Sequence, residues 1–104
     1  MRVIIEDKVW QTLDDFYKVS IELHPTLDEV TVLNKLERLH HALLELGKWP
    51  ELYQIARYKQ NWIRKGYKVY YCEGIHFAFT IDITPAFERV VRVRDACHHT
   101  LYHD

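Results

Sequence analysis

Serine occurs once in this chain of 104 residues, glycine three times and cysteine twice. With Ser20 alone and no Gly-x-Ser-x-Gly stretch, a serine nucleophile has no elbow to sit on. Gly47, Gly66 and Gly74 are scattered, so no glycine-rich loop can cradle a nucleotide phosphate. Cys72 and Cys97 are too few for a disulfide scaffold. No apolar run approaches the roughly 18 residues of a membrane helix, and MRVIIEDKVW lacks the apolar centre of a signal peptide. The expectation is a soluble cytoplasmic protein with no membrane contact and no cofactor.

What is present points to one packed domain over residues 1–104. Hydrophobic residues make up 48% of the chain, too many for a disordered polymer of this length. The net charge of −1 hides an asymmetry. Residues 1–49 carry six Lys/Arg against nine Asp/Glu, and residues 50–104 carry eight against six. Between Leu52 and Cys72, five basic residues (Arg57, Lys59, Arg64, Lys65 and Lys68) occur with no acid, enough for a local phosphate-attracting patch.

Hydrophobic spacing divides the chain into elements. VII at 3–5 reads as an opening strand. Val9, Leu13, Phe16, Tyr17 and Ile21 recur at helical steps after Asp7, and the His24–Pro25 step stops that helix. Thr26 or Asp28 can cap a second helix, with Glu29 completing a capping box. Its stripe is Leu33, Leu36, Leu39, Leu43, Leu44 and Leu46, and Gly47 ends it. A short turn makes the two an antiparallel hairpin. Residues 48–66 read either as a helix or as an irregular basic loop with a helical turn, bounded by Pro50 and Gly66. From Tyr67 the period changes to two, and three strands follow: YKVYYC, IHFAFTIDI and RVVRVRDA, with Glu73–Gly74 as a tight turn. Strict alternation puts Val91 and Val93 on one face and Arg92 and Arg94 on the other. The expected fold is α+β, a β-α-α-β-β-β chain whose helical hairpin covers a twisted antiparallel sheet.

The chemistry concentrates at the end, RVRDACHHTLYHD. Cys97, His98, His99 and His103 suggest a metal, but adjacent ligands suit no common zinc spacing, and no Cys-x-x-Cys or His-Glu-x-x-His occurs. Acid–base chemistry without a metal fits better. Cleaving RNA by transesterification needs a 2′-hydroxyl deprotonated, a 5′-oxygen protonated and a pentavalent phosphate stabilised, tasks within reach of Arg, His and Tyr. Arg94, His98, His99 and Tyr102 are the catalytic candidates. Arg57, Lys59, Arg64, Lys65, Lys68 and Arg92 are candidates for nucleic-acid binding, with Trp62 as a stacking face. His76 alternates with core positions and reads as structural. His40 and His41 on the second helix, and Trp10 on the first, read as packing or partner contacts.

This layout resembles the RelE/ParE superfamily of toxins from type II toxin–antitoxin modules. The resemblance covers most of the chain. It rests on the strand Arg2–Ile5, the VWQTLDDFY helix with Val9, Leu13 and Tyr17, the leucine-striped second helix, Pro50, and the closing RVVRVRDACHH. It implies a helical hairpin on a twisted sheet and neutralisation by an acidic antitoxin protein. The ribosome-dependent branch cleaves mRNA through scattered basic residues and a C-terminal Tyr or His-Tyr, whereas the gyrase-directed branch lacks that set. Carried over, the strand-end histidine matches His98, with His99 as alternate. The last-strand arginine matches Arg94 and the terminal tyrosine Tyr102, while Arg57, Lys59 and Arg64 stand for the basic residues ahead of the sheet. His76–Phe77 replaces the family's usual Tyr-Arg, and Thr100 and Leu101 stand where an arginine commonly follows the histidine. Two functions stay open: an mRNA endoribonuclease acting on ribosome-bound message, and a non-catalytic interaction protein of the same fold.

Overall fold

A computed structural model describes residues 1–23 and 29–102. The expected stop at His24–Pro25, the caps at Thr26 and Asp28, and His103 lie outside those residues. The described elements are β1 (Arg2–Ile5), α1 (Asp7–Leu23), α2 (Glu29–Glu45), α3 (Gln60–Arg64), β2 (Lys68–Cys72), β3 (Ile75–Ile83) and β4 (Arg89–His98), with single 3₁₀ turns at Pro50–Leu52 and His99–Leu101. The mixed α+β architecture therefore follows the apolar periods.

The sheet order is β1-β4-β3-β2. β2, β3 and β4 form an antiparallel meander, and the β2–β3 turn carries positive φ at both Glu73 (49°) and Gly74 (83°). Such a turn matches the twist of the strands it joins. One expectation needs correction: β1 runs parallel to β4, pairing Arg2 with Val90 and Ile5 with Val93, so the sheet is mixed. A hairpin turn forces antiparallel pairing, but the helices intervene between β1 and the meander, and a crossover of that length permits a parallel pair.

Both long helices lie on one face of the sheet. Val9 and Leu13 of α1, Leu39 and Leu43 of α2, and Leu46 just after it meet Phe77, Phe79, Val91 and Val93, all 2% exposed or less. Each such side chain contributes about 1.5–3 kcal/mol of transfer free energy. Gly47 follows α2 because a Cβ there would strike the carbonyl of Met1, whose amino group donates to the Gly47 carbonyl at 2.8 Å.

Residues 48–66 take the second of the two expected forms, an irregular stretch with short helical turns. Only Gln60–Arg64 is α-helical. Before it, residues 54–56 run extended along β2: Ala56 N–H donates to Tyr67 O at 2.8 Å and Val69 N–H to Gln54 O at 2.9 Å. Part of the edge of β2 is thereby covered. This segment and α3 cross to the second face of the sheet, where Ala56, Trp62, Ala78, Cys97 and Tyr102 form a smaller core.

Candidate functional site

The second face, which the long helices leave uncovered, holds most of the chain's polar chemistry. Its make-up depends on one irregularity. Between Ala78 and Phe79 the β3–β4 register shifts: Ala78 pairs with Asp95 but Phe79 with Val93, so Arg94 is an extra residue. A bulge of this kind re-aims every side chain beyond it. Arg94 stays on the open face with Arg92, and Asp95 and Cys97 join them, while Ala96 turns into the helix-covered core. His98 follows Ala96. Its ring meets Phe16 of α1 edge-on at 6.1 Å, and its Nδ1 accepts from the Thr100 N–H at 3.2 Å as a cap for the last turn. The expected grouping of His98 with Arg94 and Tyr102 is therefore corrected: they occupy opposite faces.

His99 takes the place expected of His98. Its N–H donates to Gly74 O at 2.8 Å. Its Nδ1 lies 2.8 Å from Nε2 of His76, one ring donating and the other accepting, and the two rings are stacked with centroids 5.1 Å apart. His76 is 8% exposed, stacks on Tyr102 at 3.9 Å and meets Tyr71 at 4.8 Å. Tyr71 closes edge-on against His99 at 5.8 Å. Tyr102, 6% exposed, accepts from the Arg57 backbone N–H through its hydroxyl at 3.3 Å. A column of three rings thus connects exposed His99 to the basic loop. A cleft of about 300 Å³ flanks it, with Arg57, Tyr58 and Tyr102 among its walls.

The other end of this face is ionic. Arg94 donates to Thr80 Oγ1 at 3.0 Å, to Glu6 Oε1 at 3.0 Å and to Asp82 Oδ2 at 2.7 Å, and Arg92 donates to the same Asp82 oxygen at 3.0 Å. Burial pushes the Asp82 carboxyl up, but the Thr80 hydroxyl and the Arg92 and Arg94 guanidiniums outweigh it and hold the group below its ordinary range. Lys8 approaches Asp95 at 3.4 Å. Arginines so engaged have partners of their own. Thr80 and Asp82 lie four and six residues along β3 from His76, or roughly 13–20 Å at about 3.3 Å per residue. Arg94 and His99 therefore do not share one reaction centre.

No family model matches the chain, and no curated protein matches it. The geometry must therefore carry the functional argument.

The basic candidates divide. Lys68 donates to Tyr53 O at 2.7 Å, and Lys59 and Lys65 lie over the rings of Trp62 and Tyr67 at 5.9 and 5.6 Å. Arg57 and Arg64 are exposed and make no side-chain ion pair among the described residues. Trp62 is a correction. It is 1% exposed and donates through Nε1 to Asp95 Oδ2 at 2.9 Å, so it anchors α3 to the sheet and shows no face to a base. His76, Glu6, Asp82 and Asp95 were missing from the candidates. The run His76, Ala78, Thr80, Asp82, alternating with Phe77, Phe79 and Ile81, carried the signal for two of them. Among the described residues no group of three or more His, Cys, Asp or Glu could hold a metal ion, and no helix is long and apolar enough to cross a membrane.

Proposed function

We propose that the chain is the toxin component of a type II toxin–antitoxin module, of RelE/ParE type, acting as a metal-independent endoribonuclease on ribosome-bound mRNA. The observation that carries this reading is exposed His99, hydrogen-bonded to buried His76 above Tyr102, with Arg57 beside the tyrosine. The strand order with β1 beside β4 and the helical hairpin on one face also support it. In the proposed reaction the 2′-oxygen attacks phosphorus, its proton passes to a base, and the bond to the 5′-oxygen breaks as that oxygen takes a proton. A 2′,3′-cyclic phosphate and a 5′-hydroxyl result. His99 is suited to either proton transfer, because the His76 bond fixes its tautomer and orientation. Arg57 and Arg64 supply positive charge for the phosphate. The cytoplasm is the compartment this function requires, and an acidic antitoxin is the expected protein partner.

A second reading has its own observation. Arg92 and Arg94 are engaged by Asp82 and Glu6, which cancels the cationic surface that a ribosome-directed nuclease uses. That favours a non-catalytic protein of the same fold, acting by binding an antitoxin-like partner or a host target such as gyrase. One experiment separates the two. Purified protein is added to a translating extract containing chelator, and A-site mRNA cleavage is followed by primer extension. The nuclease reading expects cleavage, lost by at least 100-fold in His99→Ala and retained in His98→Ala. Intact mRNA with growth still blocked in cells rejects it for the binding reading.

A further inference from the structure

Helix α2 carries two apolar rows. One, with Val32, Leu39 and Leu43, is buried. The other holds Leu33 and Leu44, 49% and 47% exposed, with Glu37 and His40 between them at steps of four, three and four residues. Those steps keep four side chains on a single stripe, the spacing by which helices pair along a seam. On the neighbouring helix, Trp10 is 39% exposed and meets His40 edge-on at 5.0 Å, which steadies the imidazole and widens the apolar margin.

The order of this stripe is what identifies its occupant. Read along the helix it is apolar, acidic, imidazole, apolar. Laid antiparallel on a copy of itself, about a two-fold axis between the levels of Arg38 and Leu39, the row complements itself. Leu33 of one copy faces Leu44 of the other, Glu37 faces His40, and each contact occurs twice. That is the isologous pattern of a symmetric dimer. A foreign helix would have to reproduce this order, whereas a second copy already contains it. We propose that the exposed face of α2 is the surface through which two copies of this chain associate. The inference is independent of the nuclease reading, since none of its residues belongs to the His76–His99–Tyr102 column.

Sedimentation equilibrium of the full chain over a wide concentration range tests it. The expected result is a monomer–dimer equilibrium that Leu33→Lys/Leu44→Lys shifts to monomer with unchanged circular dichroism and a melting temperature that no longer rises with protein concentration. Glu37→Lys should raise the dissociation constant about tenfold by removing the carboxylate that faces the imidazole. The exchange Glu37→Lys/His40→Glu should restore it, because an acid and a base then face each other across the axis. A chain that stays monomeric at every concentration overturns the proposal. So does a dimer that persists in the folded double-lysine variant, or a folded exchange variant that fails to recover association.

Discussion

The two ends of the open sheet face are built from different physics. At one end, His76, His99, Tyr102 and Trp62 are held by ring contacts and burial. At the other, Arg92, Arg94, Asp82 and Glu6 are held by charge-assisted hydrogen bonds at residues about one-third exposed or less. Both ends use the same two strands, and the bulge at Arg94 separates them. Basic residues mark a binding site only after their acids are counted. The two arginines the chain most visibly offers are partnered, while Arg57, on the loop, and Arg64, the last residue of α3, are exposed and make no side-chain ion pair among the described residues.

The largest effect is expected at Trp62. Replacing it with alanine removes a buried indole and one of the hydrogen bonds to Asp95, so a loss of about 3–5 kcal/mol is expected in urea unfolding. A loss under 1 kcal/mol would mean that the aromatic end is not a core. Asp82→Asn attacks the ionic end and should cost roughly 2 kcal/mol at neutral pH. The sign of its pH dependence is set by the lowered carboxyl. The stabilisation is complete above the ordinary aspartate value of about 3.9 and is lost as pH falls through the lower folded value. Acid titrations of stability should therefore converge for the two proteins at low pH and separate above it. The smallest effect belongs to Tyr102→Phe, which removes the hydroxyl that accepts the long hydrogen bond from the Arg57 backbone. About 0.5–1 kcal/mol is expected, with the ring stack intact by near-ultraviolet circular dichroism.

Much of this organisation was legible from periods alone. The six long elements follow from apolar spacing, and the valine and arginine faces of β4 separate as alternation requires up to Val93. Beyond that point the pattern misleads. Val-Arg-Val-Arg-Asp-Ala reads as an unbroken strand, and nothing local marks the extra residue. Its reason lies elsewhere: the bulge aims Asp95 at Trp62, 33 residues earlier, and at Lys8 near the start of α1. The cost to the sequence reading was the choice between His98 and His99. Residues 48–66 were ambiguous for a related cause, since the backbone of 54–56 satisfies its hydrogen bonds on β2 and not within itself.

Apolar period is a property of each segment alone, so the two long helices and the four strands can be read from the residues. The supply of histidine, tyrosine and arginine can be read the same way. Which face each of those side chains takes, and which charges cancel, depends on contacts between distant segments. One residue inserted into a strand reverses every face beyond it, and the ion pair between Glu6, which follows β1, and Arg94 of β4 joins residues 88 positions apart.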